Sequence, residues 1–87
     1  MAKKLFKQIM AYYNAYKSAK LNGDLETQGF LEIRLEELLK DLVCCFETEE
    51  MYNYESDLKY YGIHKGAGDE DRVSDILENV RKLMDGD

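Results

Sequence analysis

The chain has 87 residues, no proline and a formal net charge of −6 at pH 7. This length corresponds to one domain with a modest core. No stretch approaches the ~20 consecutive apolar residues of a membrane-spanning helix, and the N-terminal segment lacks the uninterrupted apolar run of a secretory signal peptide. The two adjacent cysteines, Cys44 and Cys45, do not make a disulfide framework. We therefore expect a cytoplasmic protein that does not associate with membranes.

Charge is distributed unevenly along the chain. Residues 1–22 contain five lysines and no acidic residue, whereas residues 24–57 contain eleven acidic residues against two basic ones. Leu, Glu, Lys, Ala and Asp dominate the composition, which favours helices over strands. The sequence predicts an all-α fold: a single helical domain over residues 1–87, in the form of a compact three- or four-helix bundle with short connections.

The first predicted helix runs from about Ala2 to Leu21. Its apolar and aromatic side chains recur at helical spacing and form one stripe. The stripe consists of Leu5, Ile9, Tyr12, Tyr16 and Ala19, flanked by Phe6 and Tyr13. Gly23 suits the left-handed conformation that ends a helix, and Asp24 suits the cap of the next helix. So short a turn makes the first two helices an antiparallel hairpin.

The second predicted helix runs from about Leu25 to Phe46. Its main apolar sector comprises Leu31, Leu35, Leu38, Leu42 and Cys45, widened by Leu39, Val43 and Phe46. Three further apolar residues, Phe30, Ile33 and Cys44, lie on a different side. A helix with two apolar faces is typical of a central position in a bundle. The alternative is that these three residues are scattered on the surface, which is normal.

A third helix is predicted to begin after Thr48, and one bent helix continuous with the second is the alternative. Its inward residues are predicted to be Met51, Tyr54, Leu58 and Tyr61. Gly62 is predicted to end this helix in a positive-φ conformation, and Ile63 to make the accompanying hydrophobic contact.

A fourth helix is predicted from about Glu70 to Met84, with Asp69 as its cap. Its apolar stripe consists of Val73, Ile76, Leu77, Val80, Leu83 and Met84. The segment before it, from Tyr60 to Asp71, contains the single histidine, His64, and three of the six glycines. The glycine spacing fits neither a phosphate loop nor a calcium loop. We therefore interpret the segment as a joint between two helices.

No residue of the chain is predicted to be catalytic, and no metal or cofactor is expected. His64 has no second histidine or paired cysteines at metal-ligand spacing. A nucleophilic thiol needs a nearby cation or a helix N-terminus to lower its pKa, whereas Cys44 lies near the C-terminal end of the second helix with Lys40 and Asp41 one turn back; Cys45 is predicted to be buried. Adjacent carboxylates such as Glu36 and Glu37 do not face each other across a cleft, as an acid–base pair must. The chain is thus expected not to be an enzyme; a small enzyme is the third alternative for its function.

The lysines of the first helix have two interpretations. They pair internally with the acidic second helix, or they bind an external anion such as nucleic acid. Tyr12 and Tyr16 share the stripe of Leu5 and Ile9, so they are predicted to belong to the core and not to stack on bases. Internal pairing is the prediction, and direct binding of nucleic acid is not expected.

The acidic, tyrosine-rich segment 47–61 is the predicted partner-binding surface. Its candidate contact residues are Glu47, Glu49, Glu50, Tyr52, Glu55, Asp57 and Tyr60. Tyrosine is enriched at protein interfaces, and carboxylates spaced along a helix can imitate the phosphates of DNA toward a basic groove. The alternative is that the tyrosines serve the packing of the bundle itself.

The sequence therefore predicts a small acidic, non-enzymatic protein-binding module. In its specific form it is an inhibitor of the phage or mobile-element type, a nucleic-acid mimic that occupies a basic, nucleic-acid-handling protein. The alternative function is a regulatory or nucleic-acid-binding module that uses the basic first helix. A homodimer is compatible with either function.

Overall fold

The computed structural model describes residues 2–63 and 72–85. They form four helices: α1 (Ala2–Leu21), α2 (Leu25–Val43), α3 (Glu49–Tyr61) and α4 (Val73–Asp85). No strand occurs among these residues. The predicted all-α bundle is confirmed, and it has four helices. Because α3 is separate from α2, the alternative of one bent helix is wrong.

The turn between α1 and α2 follows local rules. Gly23 has φ 71°, a conformation that costs glycine little because it has no Cβ. The Asp24 carboxylate accepts hydrogen bonds from the backbone N–H of Thr27 at 3.2 Å and from the Thr27 hydroxyl at 2.6 Å. The first of these bonds satisfies one of the free N–H groups at the start of α2. Both predicted roles are confirmed.

Helix α2 occupies the centre of the bundle and contacts each of the other three helices. One broad side of α2 is buried, with Leu31, Leu35, Leu38, Leu39, Leu42 and Val43. Against it pack Phe6, Ile9, Tyr16 and Ala19 of α1, Met51 and Leu58 of α3, and Val73, Ile76, Leu77 and Val80 of α4. The central position therefore comes from one wide apolar face, and a second face is not needed.

The second apolar side predicted for α2 is not buried. Phe30 and Ile33 are 70% and 64% exposed. Helix α2 also ends earlier than predicted. After Val43 the chain tightens, because the N–H groups of Cys45 and Phe46 each bond the carbonyl three residues before them. This turn rotates Cys45 off the buried side. Cys45 is exposed, and the prediction that it is buried is wrong.

Helix α3 begins as predicted, because the Thr48 hydroxyl oxygen accepts a hydrogen bond from the Met51 N–H at 3.1 Å. It ends at Gly62, whose φ is 66° and whose N–H donates to the Leu58 carbonyl at 3.1 Å. Ile63 is fully buried. The positive φ and the hydrophobic contact are thus confirmed.

Tyr61 was expected to face inward, but it is 64% exposed. The Arg72 guanidinium lies 5.4 Å from the centre of its ring, so the ring contacts a cation at the surface in place of the core. The other predicted inward residues of α3 are buried or partly buried.

Helix α4 begins at Val73, three residues later than predicted. Arg72 precedes the helix, and its carbonyl accepts the first helical hydrogen bond, from the Ile76 N–H at 3.0 Å. The predicted cap at Asp69 and the predicted first residue, Glu70, lie outside the described residues. The stripe of α4 is buried as far as Val80, whereas Leu83 is 37% exposed.

Candidate functional site

The outer side of α3 presents three tyrosines. Tyr52 and Tyr60 are 57% and 83% exposed, which confirms the predicted exposure. Tyr61 adds a third exposed ring, whose centre lies 6.5 Å from that of Tyr60. Met51 and Leu58 fix this orientation, because their burial turns the opposite side of α3 outward. We use the name tyrosine face for these three exposed residues, Tyr52 near the start of α3 and Tyr60 and Tyr61 at its end, about 12 Å farther along the axis.

Three acidic residues lie at the N-terminal end of the tyrosine face. Glu47, Glu49 and Glu50 are exposed. None of them pairs with a charged side chain of the described residues. Glu49 and Glu50 occupy the first turn of α3, where a negative charge is favoured by the helix dipole. These carboxylates are therefore held on an ordered element while their oxygens stay available.

The two remaining acidic candidates have partners within the chain. The Glu55 carboxylate lies 3.4 Å from the Lys59 ammonium, one turn along α3. The Asp57 carboxylate accepts a hydrogen bond from the Arg72 guanidinium at 3.1 Å. The structure thus places Glu49 and Glu50 in the first turn of α3, near Tyr52, and it places Glu55 and Asp57 in ion pairs with Lys59 and Arg72.

Arg72 links α3 to the start of α4 through three contacts. Its guanidinium pairs with Asp57 and lies over the ring of Tyr61. Its backbone N–H donates to the Ile63 carbonyl at 2.7 Å. The Arg72 side chain is only 15% exposed, so the charged group is largely removed from water and depends on these partners.

A second polar contact joins α3 and α4. The Asn79 side-chain amide donates to the Tyr54 hydroxyl, and it also donates to the Asp75 carbonyl at 3.1 Å. Both residues are partly buried. Sequence reasoning missed Arg72 and Asn79, because their partners are 15 and 25 residues away and no local spacing indicates such pairs.

Lys3, Lys4, Lys7 and Lys17 of α1 do not form the ion pairs that were expected with α2. Lys3, Lys4 and Lys7 are exposed and have no ion pair with a described residue. The Lys17 ammonium lies 4.7 Å above the ring of Tyr13. The prediction of internal pairing is wrong for these four residues.

Two acidic side chains of α2 pair with cations of the same helix. Glu36 pairs with Lys40 at 3.5 Å, and Glu37 pairs with Arg34 at 3.2 Å. Partners one turn along a helix are nearer than those on a neighbouring helix.

The prediction that Tyr12 and Tyr16 belong to the core is confirmed, because Tyr16 is buried and Tyr12 is packed against the core.

Two observations on the described residues bear on possible catalysis, one on a thiol and one on metal ligands. Cys44 is exposed, but loss of hydration and then the nearby Glu55 carboxylate raise the pKa of its thiol, which disfavours the reactive thiolate. Residues 2–63 and 72–85 contain no group of three His, Cys, Asp or Glu side chains that could hold a metal ion. His64 lies outside these residues.

Two shallow surface cavities occur away from the tyrosine face. One, of about 200 Å³, lies between α1 and α4 and is lined by Phe6, Met10, Ser74, Leu77, Glu78 and Arg81. The other, of about 250 Å³, lies on the outer side of α2 and is lined by Phe30, Ile33, Arg34 and Glu37. Both combine apolar walls with charged rims.

Protein-family models, curated proteins and solved structures all gave no match to this chain. A bilayer-spanning helix needs about 20 largely apolar residues, and no helix among residues 2–63 and 72–85 meets the requirement.

Proposed function

We propose that the protein is a non-enzymatic binding module whose tyrosine face, with Glu47, Glu49 and Glu50, docks on a basic protein surface. The observation that carries this proposal is the exposure of three tyrosines of α3, Tyr52 near its start and the adjacent Tyr60 and Tyr61 at its end, together with carboxylates at its N-terminal end that have no ion pair among the described residues. Tyrosine gives a large contact area and a polar hydroxyl, and it is common among the residues that dominate binding energy.

The two kinds of residue have different roles in this proposal. The carboxylates act at long range, because complementary charge speeds the encounter of two proteins. The tyrosines act after contact, because their burial determines how fast the complex dissociates. In this proposal Asp57 and Glu55 stabilise α3 through their ion pairs with Arg72 and Lys59. They are not the main residues that contact the partner.

The specific form of the proposal is an inhibitor of the phage or mobile-element type that mimics nucleic acid. Two properties support it: the net charge of −6, and acidic side chains that follow one another along a rigid helix. A groove built to neutralise phosphates would accept such a helix. The partner in this form is a protein that handles nucleic acid.

The test compares variants in binding to a partner captured from nuclease-treated lysate. Glu49→Gln with Glu50→Gln should slow association and weaken its dependence on salt. Tyr60→Ala or Tyr52→Ala should mainly speed dissociation, at a cost of at least ~2 kcal/mol if the residue is a hot spot. Lys3→Gln with Lys7→Gln is the matched control. If the lysine variant alone loses the partner, the proposal fails.

The second candidate function is binding of nucleic acid by α1. The observation that favours it is that Lys3, Lys4 and Lys7 are exposed without ion pairs. In that case the affinity for duplex DNA should fall with salt in proportion to the phosphates neutralised. Changing the three lysines to glutamine should remove binding, and the tyrosine variants should bind normally.

A further inference from the structure

The outer side of α2 carries an apolar cluster in the middle of a charged helix. Phe30 and Ile33 are mostly exposed there, and Leu25 is 76% exposed one turn before Gly29. Phe30 and Ile33 line the cavity of about 250 Å³ together with Arg34 and Glu37. Single exposed apolar residues are normal, whereas a cluster with a charged rim is typical of an interaction surface. We call this cluster the α2 outer face: Glu26, Gly29, Phe30, Ile33, Arg34 and Glu37.

Two charges of the α2 outer face, Glu26 and Arg34, lie at equal distances from Phe30 along the helix. Glu26 lies four residues before Phe30 and Arg34 lies four residues after it. Residues at this spacing lie on one side of a helix, about one turn apart. If two copies of α2 cross antiparallel with Phe30 on the two-fold axis, Glu26 of each copy faces Arg34 of the other. The surface is thus complementary to itself, as an isologous dimer interface requires.

We propose that the chain forms a symmetric homodimer through the α2 outer face, with Phe30 against Phe30 at the axis and two Glu26–Arg34 ion pairs across it. Ile33 extends the apolar contact on either side of the axis. A second copy is the occupant that the charge pattern favours, because a different protein would not need the acid and the base to be equally spaced about one aromatic residue.

Gly29 supports a close approach of the second copy. Glycine inside a helix is unfavourable by about 0.5–1 kcal/mol relative to alanine. At Gly29 a Cβ atom would meet nothing within 4 Å in the single chain, so packing within the chain does not require glycine. Its missing side chain instead leaves room beside Phe30 for the backbone and side chains of the facing helix.

Arg34 is already positioned for this contact. Its guanidinium lies 3.2 Å from Glu37 and 6.0 Å from the ring centre of Tyr12. Its side chain is still 43% exposed, so donors remain available for Glu26 of the second copy. The α2 outer face contains none of the three tyrosines of α3, so the homodimer would leave two tyrosine faces open, and it does not depend on the proposed function.

The first experiment measures molar mass by light scattering and sedimentation over a range of concentrations. The wild-type chain should be a dimer that dissociates on dilution. The Phe30→Asp variant should be monomeric at every concentration, because its dimer would have to bury two facing carboxylates at the axis. Tyr60→Asp is the matched control, an equally drastic change at an exposed aromatic residue of α3, and it should remain dimeric. A monomeric wild-type chain at all concentrations would overturn the proposal.

The second experiment tests the two-fold arrangement itself. Glu26→Arg places two cations opposite two cations, and Arg34→Glu places two acids opposite two acids, so each variant alone should be monomeric. An equimolar mixture of the two variants restores both ion pairs and should form a heterodimer. Circular dichroism checks that each variant is folded. If the mixture stays monomeric, or if either variant alone dimerises like the wild type, the Glu26–Arg34 pairing is refuted.

Discussion

The two halves of the bundle are held together by different means. Helices α1 and α2 form a hairpin whose turn is set by residues within five positions of each other, from Ala19 to Asp24. Helices α3 and α4 are joined by polar contacts between residues 15 and 25 positions apart, Asp57–Arg72 and Tyr54–Asn79. The hairpin therefore depends on local conformation and apolar packing, while the second half also depends on single polar side chains.

This difference predicts where each half is vulnerable. In the hairpin, the largest effects should come from removing apolar volume at the centre of the bundle. In the second half, substitution of a single glycine or a single polar side chain should lower the free energy of unfolding, but by less.

The first prediction concerns the buried side of α2. Leu38→Ala should lower the free energy of unfolding by roughly 2–5 kcal/mol, because Leu38 is 5% exposed and the change removes apolar contacts and leaves a cavity. Denaturant unfolding, followed by circular dichroism, measures this value. Ile33→Ala on the opposite side of α2 is the control and should change it by less than about 0.5 kcal/mol in the monomer. Equal losses in the two variants would contradict the described packing.

The second prediction concerns the glycines that end helices. Gly62 has φ 66° and ψ −148°, a combination essentially restricted to glycine, so Gly62→Ala should cost of order 1–3 kcal/mol. A Cβ at this position would also lie 3.3 Å from a carboxylate oxygen of Glu36. At Gly23 a Cβ would meet nothing within 4 Å, so Gly23→Ala should cost less.

The control for both variants is Gly29→Ala. Gly29 lies within α2, where alanine is preferred, so this change should stabilise the monomer by about 0.5–1 kcal/mol. The expected changes in the free energy of unfolding of the three alanine variants thus differ in sign as well as in size. If Gly62→Ala lowers the free energy of unfolding no more than Gly23→Ala does, neither the backbone conformation of Gly62 nor the crowding of an added Cβ by Glu36 has the expected effect.

The third prediction concerns the ion pair between α3 and α4. A double-mutant cycle with Asp57→Asn and Arg72→Gln should give a coupling energy of about 1 kcal/mol, since Arg72 is mostly shielded from water. The matched cycle uses Glu78 and Lys82, an exposed pair at 3.8 Å within α4. That pair should couple by about 0.3–0.5 kcal/mol or less. Equal coupling in the two cycles would refute a special role for Arg72.

The fourth prediction concerns pH and the cap of α2. Hydrogen bonds from the Thr27 hydroxyl and then from its backbone N–H lower the pKa of Asp24. A carboxyl whose pKa is lower in the folded state stabilises the fold above its unfolded pKa, and this contribution is lost as the pH falls below about 4. Stability of the Asp24→Asn variant should therefore depend less steeply on pH in that range than stability of the wild type.

A carboxyl titration by nuclear magnetic resonance gives the direct measurement. Thr27→Val removes the hydroxyl and keeps the backbone N–H, so it should shift the pKa of Asp24 part of the way back toward its ordinary value. An unchanged pKa in this variant would show that the hydroxyl does not contribute.

Local rules explain which parts of the fold were predictable. The limits of α1, the cap at Asp24 and the positive φ of Gly62 all depend on bonds within four residues, and each matches its prediction. Cys45 and Tyr61 did not match. The first depends on a tightened turn after Val43, and the second on Arg72, which reaches α3 from the far side of residues 64–71.

The same distinction applies to the candidate site. Exposure of Tyr52 and Tyr60 follows from helical period once Met51 and Leu58 are recognised as inward residues. The ion pairs could not be predicted from helical period, because a carboxylate pairs with whichever cation the fold brings near. Asp57 pairs with Arg72, and Glu36 pairs with Lys40 in its own helix. Lys3, Lys4 and Lys7 of α1 have no ion pair among the described residues for the same reason.

The hydrogen bond from the Arg72 N–H to the Ile63 carbonyl has a consequence for protein engineering. It ties together the two ends of the eight-residue connection 64–71 at a distance of 2.7 Å. Because those ends are anchored by α3 and α4, the free energy needed to close the connection grows only slowly with its length, by about 0.6 kcal/mol for each doubling. A peptide epitope or a reporter domain whose own ends lie close together could therefore be inserted here without disturbing the packing of the four helices.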